Sequence, residues 1–249
     1  MTSHKTESTS TDRSPPSRQL RDEKLKSLKR LAYGASHEIN NPLANVASRA
    51  QALLVGETDP DRRHELATIY AQAMRGHEMI ADLMLFARPP QPQLGECTLS
   101  EIASEAVEQM FPLAKMQETE LNLIAAEQDI RLTADANLLT LATCALVRNA
   151  LEAIKSGGKI EVTLATDHDV ATIAVQDDGP GILDEHTAIV FDPFHSGREA
   201  GRGLGFGLTK CWTIAQAHGG DTYVDTAYGP GARIVLEIPL SPKTKLESE

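Results

Sequence analysis

Ser36-His37-Glu38-Ile39-Asn40-Asn41-Pro42-Leu43 sets a histidine beside an acid within an amphipathic pattern, and the reading of this stretch governs the rest of the chain. Ile39, Leu43, Val46, Ala50 and Leu53 recur every three or four residues, and Leu25, Leu28, Leu31 and Ala35 carry the stripe backward. This predicts one helix from about Leu20 to Leu54 with a single apolar face. At roughly 100° per residue, His37 falls about 200° from both Ala35 and Ile39, so it is expected in solvent. Asn41 follows one turn later on the same face, with Glu38 at the edge of the stripe. Pro42 removes a backbone hydrogen bond and crowds the Glu38 carbonyl at a cost of about 3 kcal/mol, which predicts a kink just beyond the histidine. A neutral imidazole becomes a good nucleophile when a carboxylate orients it and takes its other proton, a role open to Glu38. The plainer alternative is a solvated helix histidine. A zinc site is disfavoured, because Asn41 stands where His-Glu-x-x-His needs its second histidine.

Composition narrows the classes. The 249 residues are 41% hydrophobic but only 4% aromatic, which suits helices packed through Leu, Ala and Ile, and the formal charge of -11 argues against nucleic acid or an anionic membrane as partner. No apolar run approaches the roughly 18 residues of a membrane span, and the polar N-terminus does not read as a secretion signal. A soluble, cytoplasmic protein without membrane insertion is expected, with no domain ahead of His37, so sensing would fall to a separate protein. Cys97, Cys144 and Cys211 are scattered and form no Cys-x-x-Cys, which favours small core residues over disulfides or zinc.

Residues 1 to 18 are rich in Ser, Thr and Pro and are expected to be disordered, as are residues 242–249. After a turn at Gly56, Asp59 and Pro60, a second helix from about Asp61 to Arg88 carries a heptad in Leu66, Ala73, Ile80 and Ala87, interleaved by Ile69, Gly76 and Leu83. The seam of a two-helix hairpin over residues 19–88 is more than two helices cover, which predicts a homodimer through a four-helix bundle. The alternative packs the hairpin on the C-terminal half. Arg88-Pro89-Pro90-Gln91-Pro92-Gln93 opens a stiff linker over residues 89–97.

An α+β pattern occupies residues 98–241. Thr98-Leu99-Ser100-Glu101 reads as a capping box for a helix to about Gln117, and Asp135 caps a helix through Ile154. Strands are expected at Leu121–Ile124, Ile130–Thr133, Thr222–Thr226 and Ala232–Ile238, with a hairpin turning at Asp167-His168-Asp169. Asp184 to Arg202 reads as irregular, followed by a helix from Leu204 to His218. The fold class is therefore α plus α+β, with helices gathered on one face of a mostly antiparallel sheet.

Three stretches share a chemistry suited to a nucleotide. Asp177-Asp178-Gly179-Pro180-Gly181 ends a strand in acid and glycine, so a carboxylate at the rim can accept from an exocyclic amine such as adenine's while glycines admit a flat ligand. Gly203, Gly205 and Gly207 precede or open a helix, whose N-terminal N–H groups attract phosphate. Arg198 and Arg202 stand between them, placed to fold over a polyphosphate. Asn149 offers the neutral oxygen that Mg²⁺ accepts.

Taken in order, these stretches resemble the sensor histidine kinases of two-component systems over residues 20 to 241. His37-Glu38-Ile39-Asn40-Asn41-Pro42-Leu43 is similar to the phosphoacceptor box and Asn149-Ala150 to the asparagine box. Asp177-x-Gly179-x-Gly181, Phe191-Asp192-Pro193-Phe194 and Gly203-x-Gly205-x-Gly207 are similar to the first glycine, phenylalanine and second glycine boxes. The resemblance implies an ATP-binding α/β sandwich of the gyrase type behind a dimeric hairpin. It implies His37 as phosphorylated nucleophile, Glu38 as its base and Asn41 as a water-orienting group in a phosphatase reaction. It assigns Mg²⁺ to Asn149, the adenine amine to Asp177, phosphates to Gly203, Gly205 and Gly207, and a lid to His195–Arg202. A response-regulator receiver domain on another chain would take the phosphate. Two positions depart from the pattern: Ala145 replaces a second asparagine, and Glu152 stands where many members carry lysine. Glu152 is therefore a candidate water-activating base, and the phosphate charge falls to Mg²⁺ with Arg198 or Arg202. The competing readings are a gyrase- or chaperone-like ATPase without phosphotransfer, and a non-catalytic nucleotide-binding scaffold.

Overall fold

The computed structural model describes residues 18–187, 189–193 and 205–241, and in the first helix the side chains from Arg30 onward except Leu31 and His37. The tails expected to be disordered fall outside these residues, save Arg18, where helix begins.

Helix α1 runs Arg18–Leu54 without interruption at Pro42, and α2 runs Pro60–Ala87. The Asp59 carboxylate caps α2 by accepting from the N–H groups of Asp61 and Arg62, and Pro60 takes the first helical position, where no N–H is needed. The two helices pack along their length as an antiparallel hairpin. Its internal seam is built from smaller groups than the sequence suggested. Ala32, Ser36, Ala47 and Ala50 are buried on α1 and Ala73, Ile80 and Phe86 on α2, whereas Ile39, Val46 and Leu53 of the expected stripe remain exposed. Small residues let the helices approach closely. A Cβ added to Gly76 would come within 3.1 Å of a Leu43 methyl. Periodicity found an apolar face of α1, but that face is wider than one partner helix covers. No helix among the described residues is long and apolar enough to cross a membrane.

Beyond the hairpin, β1 (Gly95–Thr98) forms where only linker was expected, and pairs antiparallel with β3 (Arg131–Ala134). The partner lies some 36 residues away, a distance at which local pattern carries no signal. Helix α3 (Leu99–Met116) opens on the expected capping box, the Thr98 hydroxyl and Glu101 carboxylate each accepting from the other's backbone N–H. The main sheet has the order β2-β4-β5-β7-β6, with β2 (Glu120–Ile124) parallel to β4 (Lys159–Asp167) and every other pair antiparallel. Strand β5 (Val170–Asp177) is central, between β4 and β7 (Ala232–Pro239), and β6 (Asp221–Val224) forms an edge.

Helix α4 (Ala136–Ile154) lies between α3 and a later helix, α6 (Gly207–Ala217), and this layer packs on the sheet. Leu139, Leu146, Val147 and Leu151 of α4 meet Ile160, Val162, Ile173, Ile234 and Leu236 of the sheet in one apolar core. A short helix α5 (Asp184–Thr187) interrupts the segment expected to be irregular. Helix α6 starts at Gly207, since Gly205 takes φ +72°, a left-handed backbone that no helix can include, and Leu204, expected to open the helix, lies outside the described residues. Cys211 is buried, and Cys97 and Cys144 are half-buried; all three are free thiols whose pKa burial pushes up, that of Cys211 to about 12.

Candidate nucleotide site and its contact with the hairpin

Asp177 ends the central strand, opposite Ile160 of β4 and Ala232 of β7, so its backbone is held from both sides. It is 4% exposed, and its Oδ1 accepts from Gly179 N–H at 2.9 Å. Burial pushes its carboxyl above the ordinary value of 3.8, a rise opposed by the N–H groups of Gly179 and Ala232. Asp178 is used differently: its Oδ1 accepts from Lys159 N–H at 2.9 Å, closing the turn onto β4. The sequence read the two acids together; the fold sends only the first into the protein.

The glycines around Asp177 are there for close approach. Gly231, at φ +100°, lies so near that a Cβ would fall 1.8 Å from the Asp177 carbonyl oxygen, and a Cβ on Gly181, at φ +78°, would meet the Gly231 oxygen at 3.0 Å. The pairing of β5 with β7 brings Gly231 against the strand end that carries Asp177. A Cβ on Gly179 would lie 3.8 Å from the Ala153 carbonyl carbon and 3.5 Å from Ile154 Cγ1. The first glycine stretch therefore abuts the last turns of α4, which carry half-buried Asn149 and exposed Glu152. Asn149, Glu152, Asp177, Gly179 and Gly181 are thus brought to one end of the helix layer.

Gly205 and Gly207 flank Phe206, whose side chain makes no cap bond to the first turn of α6. The N–H groups of such a first turn suit an anion. Thr209 ties this turn to the phenylalanine stretch: its hydroxyl lies 3.0 Å from the Phe191 carbonyl oxygen and 3.3 Å from that of Gly205, and its one proton serves either acceptor. Arg198, Arg202, Gly203 and Phe194 lie outside the described residues. Among the described residues no group of three or more His, Cys, Asp or Glu could hold a metal. A lone carboxamide such as Asn149 suits a cation that keeps its waters and binds mainly through phosphate oxygens.

Glu38 and Asn41 are exposed on α1, and the His37 side chain lies outside the description. These residues belong to a different element from the Asp177 group, yet the hairpin touches it. The Phe86 ring of α2 lies 6.0 Å from the Phe206 ring, and Lys210 Nζ lies 2.5 Å from Asp82 Oδ1. Arg148 of α4 reaches Glu78 at 3.5 Å. The register of the hairpin fixes the height of this contact. Gly76 abuts Leu43, and the Arg88 guanidinium lies 6.0 Å over the Tyr33 ring. Midway between those two contacts, Asp82 comes level with Glu38, one residue from His37. Phe86, Asp82, Phe206, Thr209 and Lys210 carried no motif signal. A recess of about 250 Å³ lies elsewhere, between α1 and α2, lined in part by Ala44, Ser48, Tyr70 and His77, and it has none of the glycine chemistry.

Fold and site together define a nucleotide-binding α/β domain joined to a helical hairpin that carries the His-Glu box. Comparison with known proteins gives the same pairing. The family described as histidine kinase-, DNA gyrase B-, and HSP90-like ATPase matches residues 134–242, and the His kinase A (phospho-acceptor) domain matches residues 27–92. The chain is 30% identical over 222 residues to the sensor histidine kinase ZraS of Escherichia coli O157:H7, covering 89% of this chain and 48% of that protein. Among solved structures it is similar to full-length ShkA in complex with AMPPNP, with a TM-score of 0.74 and 21% identity over 86% of this chain and 46% of that one. It is also similar to the histidine kinase ThkA in complex with the response regulator protein TrrA, with a TM-score of 0.66 and 22% identity over 91% of this chain and 66% of that one. The chain belongs to the sensor histidine kinases. It spans about half the length of the curated relatives it matches.

Proposed function

We propose that the chain is an ATP-dependent protein histidine kinase that phosphorylates His37 and passes the phosphoryl group to an aspartate of a response-regulator receiver domain. The observation that carries this reading is the contact of α6 with α2: the helix whose first turn follows the glycines meets the hairpin at the height of the His-Glu box. An imidazole nitrogen of His37 attacks the γ-phosphorus, forming an N–P bond as the bond to the β,γ-bridging oxygen breaks and ADP leaves. Glu38 takes the proton from the other ring nitrogen. Asp177 accepts from the adenine amine, and the N–H groups at Gly203, Gly205 and Gly207 face the phosphates, with Arg198 and Arg202 adding charge. Mg²⁺, held through Asn149, neutralises phosphate charge when bound. Such transfer is mostly positioning and electrostatics, which is why the site is built of glycine, amide and a single buried acid.

The assembly is a homodimer. Ile39, Val46 and Leu53 of α1 and Ile69 of α2 are exposed in the single chain, and a second hairpin completing a four-helix bundle would cover them. The complex reported for ThkA supports a response regulator as the second partner. Asn41, one turn beyond His37, orients a water in a phosphatase reaction, a hydrolysis distinct from the transfer itself, and Glu152 on α4 is a separate candidate water-activating base.

Labelled ATP tests the assignment. An acid-labile, base-stable label on the wild-type protein that is lost in His37→Gln supports it. Release of phosphate without labelling would point to an ATPase that only cycles, and nucleotide binding with neither would point to a scaffold.

A further inference from the structure

His218 is 6% exposed and takes no part in the proposed chemistry, yet both ring nitrogens are committed. Nε2 accepts from the Asp135 backbone N–H at 3.1 Å, so that nitrogen carries no proton, and Nδ1–H donates to the Ile214 carbonyl at 2.8 Å. The ring therefore joins the C-terminal end of α6 to the N-terminal end of α4. The residue it grips is itself a junction. Asp135 Oδ1 accepts from Leu138 N–H at 3.1 Å, capping α4, while Oδ2 accepts from the Gln93 N–H of the linker at 2.8 Å. Linker, α4 and α6 meet at this one acid and one ring.

The opposite ends of these two helices form the two halves of the nucleotide site. Asn149 and Glu152 stand near the end of α4, and Gly205 and Gly207 at the start of α6. A helix is stiff along its axis, so an axial slip at one end appears almost undiminished at the other, about 16 Å away for eleven residues. The apolar contact between α4 and α6 resists separation far better than sliding, because dispersion and burial are non-directional. A directional bond at the far end is what sets the register.

We propose that His218 is a positioning residue for phosphoryl transfer. Through Asp135 it fixes the axial register of the phosphate-binding turn against Asn149, and it ties that register to the linker from the hairpin. Displacement of Gln93 is thereby felt at the glycines. This inference rests on the histidine-kinase reading, and the experiment separates the two.

The full chain is compared with His218→Leu, which removes both bonds, and with His218→Gln, whose amide oxygen can still accept from Asp135 N–H. A third variant, Gln93→Pro, deletes only the linker donor. Affinity for a fluorescent ATP analogue, KM and kcat of labelling, and the thermal midpoint are recorded for each. His218→Leu is expected to weaken nucleotide affinity and raise KM roughly three- to tenfold, as loss of a buried hydrogen bond allows. Substantial recovery is expected in His218→Gln. Gln93→Pro is expected to shift KM in the same direction, and its effect should not add to that of His218→Leu. If the variants melt lower but bind and label with wild-type constants, His218 is only structural and the proposal is overturned. It is equally overturned if Gln93→Pro leaves affinity unchanged or adds fully to His218→Leu. Should wild type bind nucleotide without labelling His37, the kinase reading fails, while the affinities still decide the register. Should His218→Leu not fold, His218→Gln and Gln93→Pro carry the test.

Discussion

Lys210 Nζ sits 2.5 Å from Asp82 Oδ1, and the two side chains are only 17% and 23% exposed. Exposed ion pairs contribute about 0.2–1 kcal/mol, and breaking a buried one by removing a partner costs about 3–5 kcal/mol. A pair of this burial, flanked by Phe86 and Phe206, lies between those limits.

Asp82→Asn is therefore expected to loosen the nucleotide domain from the hairpin by about 1–2 kcal/mol. The readout is chymotrypsin cleavage after Phe86, which is buried against Phe206 while the two parts are in contact. Cleavage tracks the open population when reclosing is fast, so it should accelerate roughly five- to thirtyfold with the thermal midpoint little changed. Cleavage at the wild-type rate would show that the Phe86–Phe206 contact holds the two parts together by itself.

Asp177→Asn should stabilise the nucleotide-free protein while abolishing nucleotide binding. Burial raises the folded-state carboxyl pKa above its unfolded value, so the unfolded chain is the more readily ionised state. The penalty is absent below the unfolded pKa and complete above the folded one. The gain in Asp177→Asn should accordingly appear as pH rises through that range and vanish in acid. Nucleotide affinity of the wild type should run the same way, falling as acid protonates the carboxylate proposed to accept from the adenine amine. Urea unfolding and analogue binding at several pH values check both.

Gly231→Ala is expected to disable the site from outside it. At φ +100° with a Cβ only 1.8 Å from the Asp177 carbonyl oxygen, alanine cannot be accommodated without parting β5 from β7 at the end that carries Asp177. Strain of this kind costs about 2–4 kcal/mol. The urea midpoint should drop, and the folded fraction should bind nucleotide poorly. Gly229→Ala, where a Cβ meets nothing within 4 Å, is the control and should do neither.

The parts of this fold that were legible in the sequence are those encoded over a few residues. Thr98 with Glu101, Asp59 with Pro60, Asp135 three residues before Leu138, and the turn at His168 each announce an element boundary through a local hydrogen bond or backbone constraint. Asp177 and its glycines were legible for the same reason. What escaped depends on residues far apart in the chain. Gly231 matters because β7 pairs with β5, β1 exists because β3 lies beside it, and His218 is explained only by Asp135, 83 residues earlier. The α1 stripe was legible as apolar but not as to its partner, since periodicity records that a face is hydrophobic and not what covers it.

That partner can be tested on Val46. It is 45% exposed, with Ile39 and Leu53 one heptad to either side on the same face at 43% and 62%, while the intra-chain seam runs through Ala32, Ser36, Ala47 and Ala50. A lysine at position 46 therefore leaves the contacts between α1 and α2 intact. If a second copy covers this face, Val46→Lys places two ammonium groups near the two-fold axis, where burying even one unpaired charge costs several kcal/mol. Light scattering should then show a dimer for wild type and a monomer for Val46→Lys, with unchanged helicity by circular dichroism. Labelling separates the two geometries of transfer: an active monomer would mean that His37 is reached by its own nucleotide domain, and an inactive one that it is served by the partner. A wild-type protein that is monomeric at every concentration would leave the stripe exposed and remove the four-helix bundle from the mechanism.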